Sequence, residues 1–158
     1  MLCIIVFLFP LYLHSVIWSP TLKKDIDCIE RVQRHFTKRL PGLKNCSYSE
    51  RLQALNIRTL ELRRLHFDLV MCYKIVFGLI DISFDEFFEF SATTRTRGHC
   101  YRLYKQRPSK NARNIFFTER IINVWNFLSP ITVDFHSLNS FKRSIEVVDF
   151  TMFLKSSS

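Results

Sequence analysis

The chain has 158 residues, enough for one domain or one domain and a tail, and 47% of them are hydrophobic, enough for a packed core. Its 3 Gly and 5 Pro disfavour a turn-rich all-β fold, and so few glycines exclude a P-loop or a dinucleotide fingerprint, which need several in one loop. With 23 Lys+Arg against 14 Asp+Glu, the net charge of +9 suits a polyanionic partner, nucleic acid first and an acidic membrane surface second.

Residues 1–18, MLCIIVFLFPLYLHSVIW, carry no Lys, Arg, Asp or Glu. Three readings stay open: an apolar segment torn from a larger core, a short membrane anchor, or a cleaved signal. Against a signal, there is no basic start and no clear small-x-small cleavage site. Against a span, the run is at the lower length limit and is interrupted by Pro10 and His14. Lys23 and Lys24 supply the positive flank that an anchor takes. The main domain is expected over residues 19–150, followed by a tail over 151–158.

A first helix is expected from Ser19 as cap and Pro20 as first helical residue. Leu22, Ile26, Ile29, Phe36 and Leu40 recur at helical spacing as its apolar stripe, with Lys23, Lys24, Arg31, Arg34 and Lys38 opposite. Pro41-Gly42 stops it. The stretch SYSE, Ser47 to Glu50, is a capping box that opens a short second helix running to about Leu55. A third runs from about Thr59 to Phe77, with Gly78 at its end. Its main stripe is Leu62, Leu65, Leu69, Cys72, Tyr73 and Val76. A second stripe of Phe67, Met71 and Ile75 makes it apolar on two faces, as a central helix is.

SFDE, Ser83 to Glu86, has the pattern of another capping box. From Thr93 to Arg120 the composition turns basic: Arg95, Arg97, Arg102, Lys105, Arg107, Lys110, Arg113 and Arg120 stand against the single acid Glu119. Alternation in HCYRLYKQ favours a small β element around residues 98–107, confined to an edge by Pro108. A helix follows over about Asn114 to Leu128, with Phe117, Ile121, Val124, Trp125 and Leu128 inward. LNSFKRSIEVV forms a last one, with Leu138, Phe141, Ile145 and Val148 inward. The fold class is therefore mainly α.

Catalytic patterns are missing from this sequence. Two-metal polymerases and nucleases need converging carboxylates, and no adjacent Asp-Asp pair occurs. Asp81, Asp85, Glu86 and Glu89 are the best acidic group, yet Glu86 fits a cap and the phenylalanines around it fit packing. The histidines show no ligand spacing, and no nucleophile elbow is present. The five cysteines are scattered without a CxxC, which fits buried thiols in a reducing compartment. No metal and no cofactor is expected.

The basic features do carry a signal. Asp27 to Arg31 and Glu30 to Arg34 read as acid-to-base pairs at i,i+4, but Arg34 and Lys38 are then like charges at the same spacing. A phosphate strand along that face reverses the sign of their interaction. In the later segment Tyr101, Tyr104, Phe116 and Phe117 lie among the cations, as in a groove for backbone and stacked bases. The expected nucleic-acid contacts are Lys23, Arg31, Arg34, Lys38, Arg95, Arg97, Arg102, Lys105 and Arg107. No base-reading motif is visible, so binding is expected to be directed at the backbone.

Several motifs occur in a familiar order: Trp18 and Pro20, Asp25-Ile26, VQRHFTKRLPGL (Val32 to Leu43), YSERL (Tyr48 to Leu52), LELRR (Leu60 to Arg64) and YKIVFG (Tyr73 to Gly78). TRGHCYRLYKQR, FFTERIINVWNFL and LNSFKR continue the order. Over about residues 15–146 the chain resembles the region downstream of the polymerase palm in LINE-type (jockey-like) non-LTR retrotransposon reverse transcriptases. The resemblance implies a helical, thumb-like domain that packs beside the palm and holds template and primer. It implies two partners, RNA or an RNA–DNA hybrid and the palm domain of the parent polymerase. The metal-binding aspartates of that palm have no counterpart here, so a non-catalytic fragment beginning after the catalytic core is expected. An intracellular location, nucleus or cytoplasm, goes with this reading. A small membrane-anchored protein, tethered by residues 1–18, is the alternative.

Overall fold

The computed structural model describes residues 20, 22–92, 99–105 and 117–155. Its helices are α1 (Lys23–Lys38), α2 (Tyr48–Ala54), α3 (Leu60–Val76), α4 (Phe117–Phe127) and α5 (Leu138–Ile145), with single 3-10 turns at Phe84–Glu86 and Thr151–Phe153. The fold is mainly α, as the periodicity predicts. The described residues form two compact units, one holding 20, 22–65 and 150–155, the other 66–92, 99–105 and 117–149. The division falls within α3.

In the first unit, α1 starts at Lys23 behind Leu22, which is extended and offers no side-chain cap. The expected start at Ser19 and Pro20 is thus displaced; Ser19 itself lies outside the described residues. Asp25 places a carboxylate in the first turn, where the partial positive charge of the helix end favours it. The capping box of α2 is formed as the motif predicts. The Glu50 amide donates to Ser47 Oγ at 3.3 Å, and the Ser47 amide to Glu50 Oε2 at 2.6 Å. That amide holds the Glu50 carboxyl below the usual carboxylate range. Asn56 ends α2 in the left-handed region at φ 51°, with the Ile57 amide reaching back to the Leu52 carbonyl at 2.9 Å.

In the second unit the expected stripe of α3 buries Leu69, Cys72 and Tyr73. Of the second stripe only Ile75 is buried, while Phe67 is exposed. Gly78, at φ 63°, closes the helix, and the Leu79 amide returns to the Lys74 carbonyl at 2.8 Å. The inward residues predicted for α4 (Phe117, Ile121, Val124, Trp125 and, just past its end, Leu128) are all buried. In α5 Phe141 and Ile145 are buried, and Ser137 caps the helix by accepting from the Ser140 amide at 3.1 Å.

Two local expectations change. Ser83 makes no capping bond, and SFDE gives one 3-10 turn. The Phe84 ring stacks on Phe90 at 4.4 Å, which folds the chain back on itself instead of letting a helix propagate. Among the described residues the β element is one antiparallel bridge, Phe90 with Leu103, and residues 98, 106 and 107 of the expected span lie outside them. Its bonds run from Ser91 to the Arg102 carbonyl, 2.9 Å, and from Tyr104 to the Glu89 carbonyl, 2.7 Å. On the far edge Asn126 of α4 takes the place of a third strand: its Oδ1 accepts from the Leu103 amide at 2.9 Å and its Nδ2 donates to the Leu103 carbonyl at 2.8 Å. Leu103 is 2% exposed, so its backbone has little access to water. Asn126→Ala is expected to lower stability by about 2 kcal/mol, because a donor and an acceptor lose their partners together. Urea unfolding followed by circular dichroism measures it.

Candidate nucleic-acid interface

The face that α1 buries is mostly polar. Ile26, Glu30, Gln33 and Thr37 point inward at spacings of three and four residues. The apolar stripe expected there is largely not buried: Ile26 is, but Ile29, Phe36 and Leu40 are half-buried and Leu22 is exposed. Burial at Glu30 and Gln33 is possible because each polar atom finds a partner.

Glu30 accepts from the hydroxyl of Tyr48 and, at 2.9 Å, from the amide of Leu60. That amide opens α3 and has no partner inside its own helix, so Glu30 supplies an anionic cap from a different element. Gln33 donates to Tyr48 Oη at 3.0 Å and to the Arg58 carbonyl at 3.0 Å, and accepts from Arg63. Thr37 donates to the Gln33 carbonyl at 2.9 Å and accepts from Arg51 Nε at 3.2 Å. Arg51, 7% exposed, reaches on to the Cys46 carbonyl at 2.7 Å. Burial and the bond to Glu30 push the Tyr48 phenol above its usual pKa, so it remains a donor. The expected Glu30 to Arg34 surface pair is thereby overturned: the carboxylate is turned into the core.

Beside that buried face, α1 presents an adjoining side to solvent. At about 100° per residue, Lys23, Arg34, Lys38 and Arg31 fall within an arc of about 80°, and all four are exposed. Asp27 lies within the same arc. The Arg34 guanidinium stands over the Tyr48 ring, 4.9 Å from its centroid, with that of Arg51 at 5.6 Å. Lys44, outside the expected set, is exposed in the same unit.

The other expected contacts belong to the second unit. Arg102 is half-buried beside the bridge. Lys105 is exposed but engaged: its ammonium donates to Asn123 Oδ1 at 3.2 Å and lies 3.9 Å from Glu119. Arg120, counted among the basic run, is turned inward, its Nε 2.6 Å from the buried carboxylate of Asp68. Arg95, Arg97 and Arg107 lie outside the described residues, as do Lys110 and Arg113.

The second unit also holds a cleft of about 610 Å³ whose lining includes Phe77, His99, Tyr101, Asp134 and Phe135. His99 Nε2 lies 2.9 Å from the Trp125 carbonyl, which only accepts, so the proton is on Nε2. Burial lowers the His99 pKa, against the pull of that bond. Among the described residues no group of three or more His, Cys, Asp or Glu side chains gathers in a way that would hold a metal ion. Asp81, Asp85, Glu86 and Glu89 are each exposed. No helix of the described residues is long and apolar enough to cross a membrane, and residues 1–18, for which torn core, anchor and signal are the open readings, lie outside them.

No protein-family model, no curated protein and no solved structure matches this chain.

Proposed function

We propose that this chain is a non-catalytic, nucleic-acid-binding region of a LINE-type retrotransposon reverse transcriptase, the part that follows the palm, and that it contacts the phosphates of an RNA–DNA hybrid through α1. The observation that carries this reading is the exposed arc of Lys23, Arg31, Arg34 and Lys38 on a helix whose adjoining face is fixed by buried hydrogen bonds. A row of cations on an anchored helix suits a sugar-phosphate strand, because little backbone freedom remains to be lost on binding. The ordered motifs of residues 15–146 support the same reading from the sequence. Chemistry on the strand would fall to the palm, since the paired aspartates have no counterpart here.

The test is a fluorescence-anisotropy titration of the full chain against an RNA–DNA hybrid at rising salt. Four phosphate contacts predict a slope of about −3.6 in log K against log salt, so affinity falls roughly 100-fold between about 50 and 200 mM salt. Replacing Lys23, Arg31, Arg34 or Lys38 singly by Gln is expected to cut the slope by about one, alike for every hybrid sequence. A flat salt response, or a quadruple variant that binds as tightly as the parent, rules the reading out.

A further inference from the structure

We infer that Tyr48 is the positioning residue of this interface: its ring, locked from inside the protein, holds the Arg34 guanidinium flat and extended for a phosphate. The inference rests on the reading of α1 given above and names the residue that aims its contact. The chain of support is continuous. The Leu60 amide donates to Glu30 at 2.9 Å, Glu30 accepts from the Tyr48 hydroxyl, and Gln33 donates to the same oxygen at 3.0 Å. Tyr48 is thus pinned at its polar end by two side chains of α1, the helix that carries Arg34. Its ring is left as a platform, with the Arg34 guanidinium carbon 4.9 Å from the centroid.

A second cation strengthens the assignment. Arg51 stands 5.6 Å from the same ring, but its Nε and Nη1 are spent on Thr37 and the Cys46 carbonyl and its side chain is buried. Arg34 is exposed. Of the two guanidinium groups at this ring, Arg34 is therefore the one placed to meet a ligand in solvent. A guanidinium stacked by its face on an aromatic ring keeps its N–H groups directed outward in its own plane. Two of them match two oxygens of one phosphate, which a lysine ammonium does not reproduce. Lys23, Arg31 and Lys38 supply charge along the arc, and Arg34 supplies the directed contact.

The experiment is a double-substitution cycle in the hybrid titration, with thermal unfolding of each variant alongside. Tyr48→Leu is expected to weaken binding about two- to fivefold, the range for an exposed cation–π contact, while leaving the salt slope intact because no cation is removed. Arg34→Lys is expected to weaken it similarly, also without changing the slope. The double variant should be no weaker than the poorer single one, since each substitution removes the same stacked arrangement. Tyr48→Phe keeps the ring and loses the hydroxyl bonds that pin it, so it should melt earlier than the parent yet lose less affinity for hybrid than Tyr48→Leu. A merely structural role predicts the opposite pairing, with affinity following melting temperature across Phe and Leu. Additive effects of Tyr48→Leu and Arg34→Lys, or a Tyr48→Phe variant as weak as Tyr48→Leu, overturn the inference while the function of α1 stands. If the parent chain shows no salt-dependent binding, both fall together.

Discussion

Glu30→Ala is expected to destabilise the chain by about 3 kcal/mol, a loss of roughly 10 °C in Tm for a protein of this length. Glu30 is 1% exposed, and its carboxylate accepts from two donors on different elements, the Tyr48 hydroxyl on α2 and the Leu60 amide at the start of α3. Removing it leaves both donors unpaired in a site closed to water, each at about 1–3 kcal/mol. Part of that is returned, because a buried carboxylate is itself costly to desolvate. Glu30→Gln separates the contributions. The amide oxygen still accepts one bond, but its NH2 group then faces a second donor, so an intermediate loss is expected. The contrasting case is a surface residue paired with Arg34, for which the same substitution costs about 0.2–0.5 kcal/mol. Thermal unfolding of the two variants decides between buried cap and surface partner. A Tm within about 2 °C of the parent for Glu30→Ala would mean that the carboxylate points outward.

Glu30 marks the limit of what periodicity within one helix encodes. Glu30 stands four residues before Arg34, and on an isolated helix that spacing describes a solvent-exposed pair. Its actual partners are 18 and 30 residues further on, and no periodicity within α1 encodes them. The capping box at Ser47 was legible because both of its bonds close within three residues. Ile121, Val124 and Trp125 were legible because α4 packs by one apolar stripe at regular spacing. The arc of Lys23, Arg31, Arg34 and Lys38 was legible for the same reason in reverse, since helical geometry alone puts them on one side. Ser83 failed as a cap because the Phe84 and Phe90 rings, six residues apart in sequence, stack and reverse the chain. At Leu103 the bridge partner occupies one edge and a side chain from α4 the other, and the alternation of HCYRLYKQ shows neither. Tyr48 read only as part of a capping box, and its place under Arg34 depends on how the loop between α1 and α2 returns. Local signals were thus readable, whereas contacts made by side chains from other elements were not.

Trp125→Ala carries the largest expected loss, about 4 kcal/mol. Trp125 is fully buried and lies against three rings: His99 at 5.7 Å edge-on, Phe135 at 5.6 Å and Phe141 at 5.8 Å between centroids. Its indole nitrogen donates to the Tyr101 carbonyl at 2.7 Å, and its own carbonyl receives His99. Alanine removes the largest apolar side chain of this cluster and leaves a void that the neighbouring rings fill only in part. The expected Tm shift is about 10 °C or more, with a matching fall in the urea midpoint at constant m-value. Trp125→Phe keeps most of the packing but not the donor, so it isolates the Tyr101 bond, worth about 1–2 kcal/mol. Because the two substitutions share the lost N–H, their difference measures the packing that an aromatic ring supplies at this site. If Phe costs as much as Ala, the stabilisation lies in the hydrogen bond that orders the 99–103 segment. If Ala costs less than about 1.5 kcal/mol, too little for a closed aromatic core, the cluster around position 125 is loose enough to collapse.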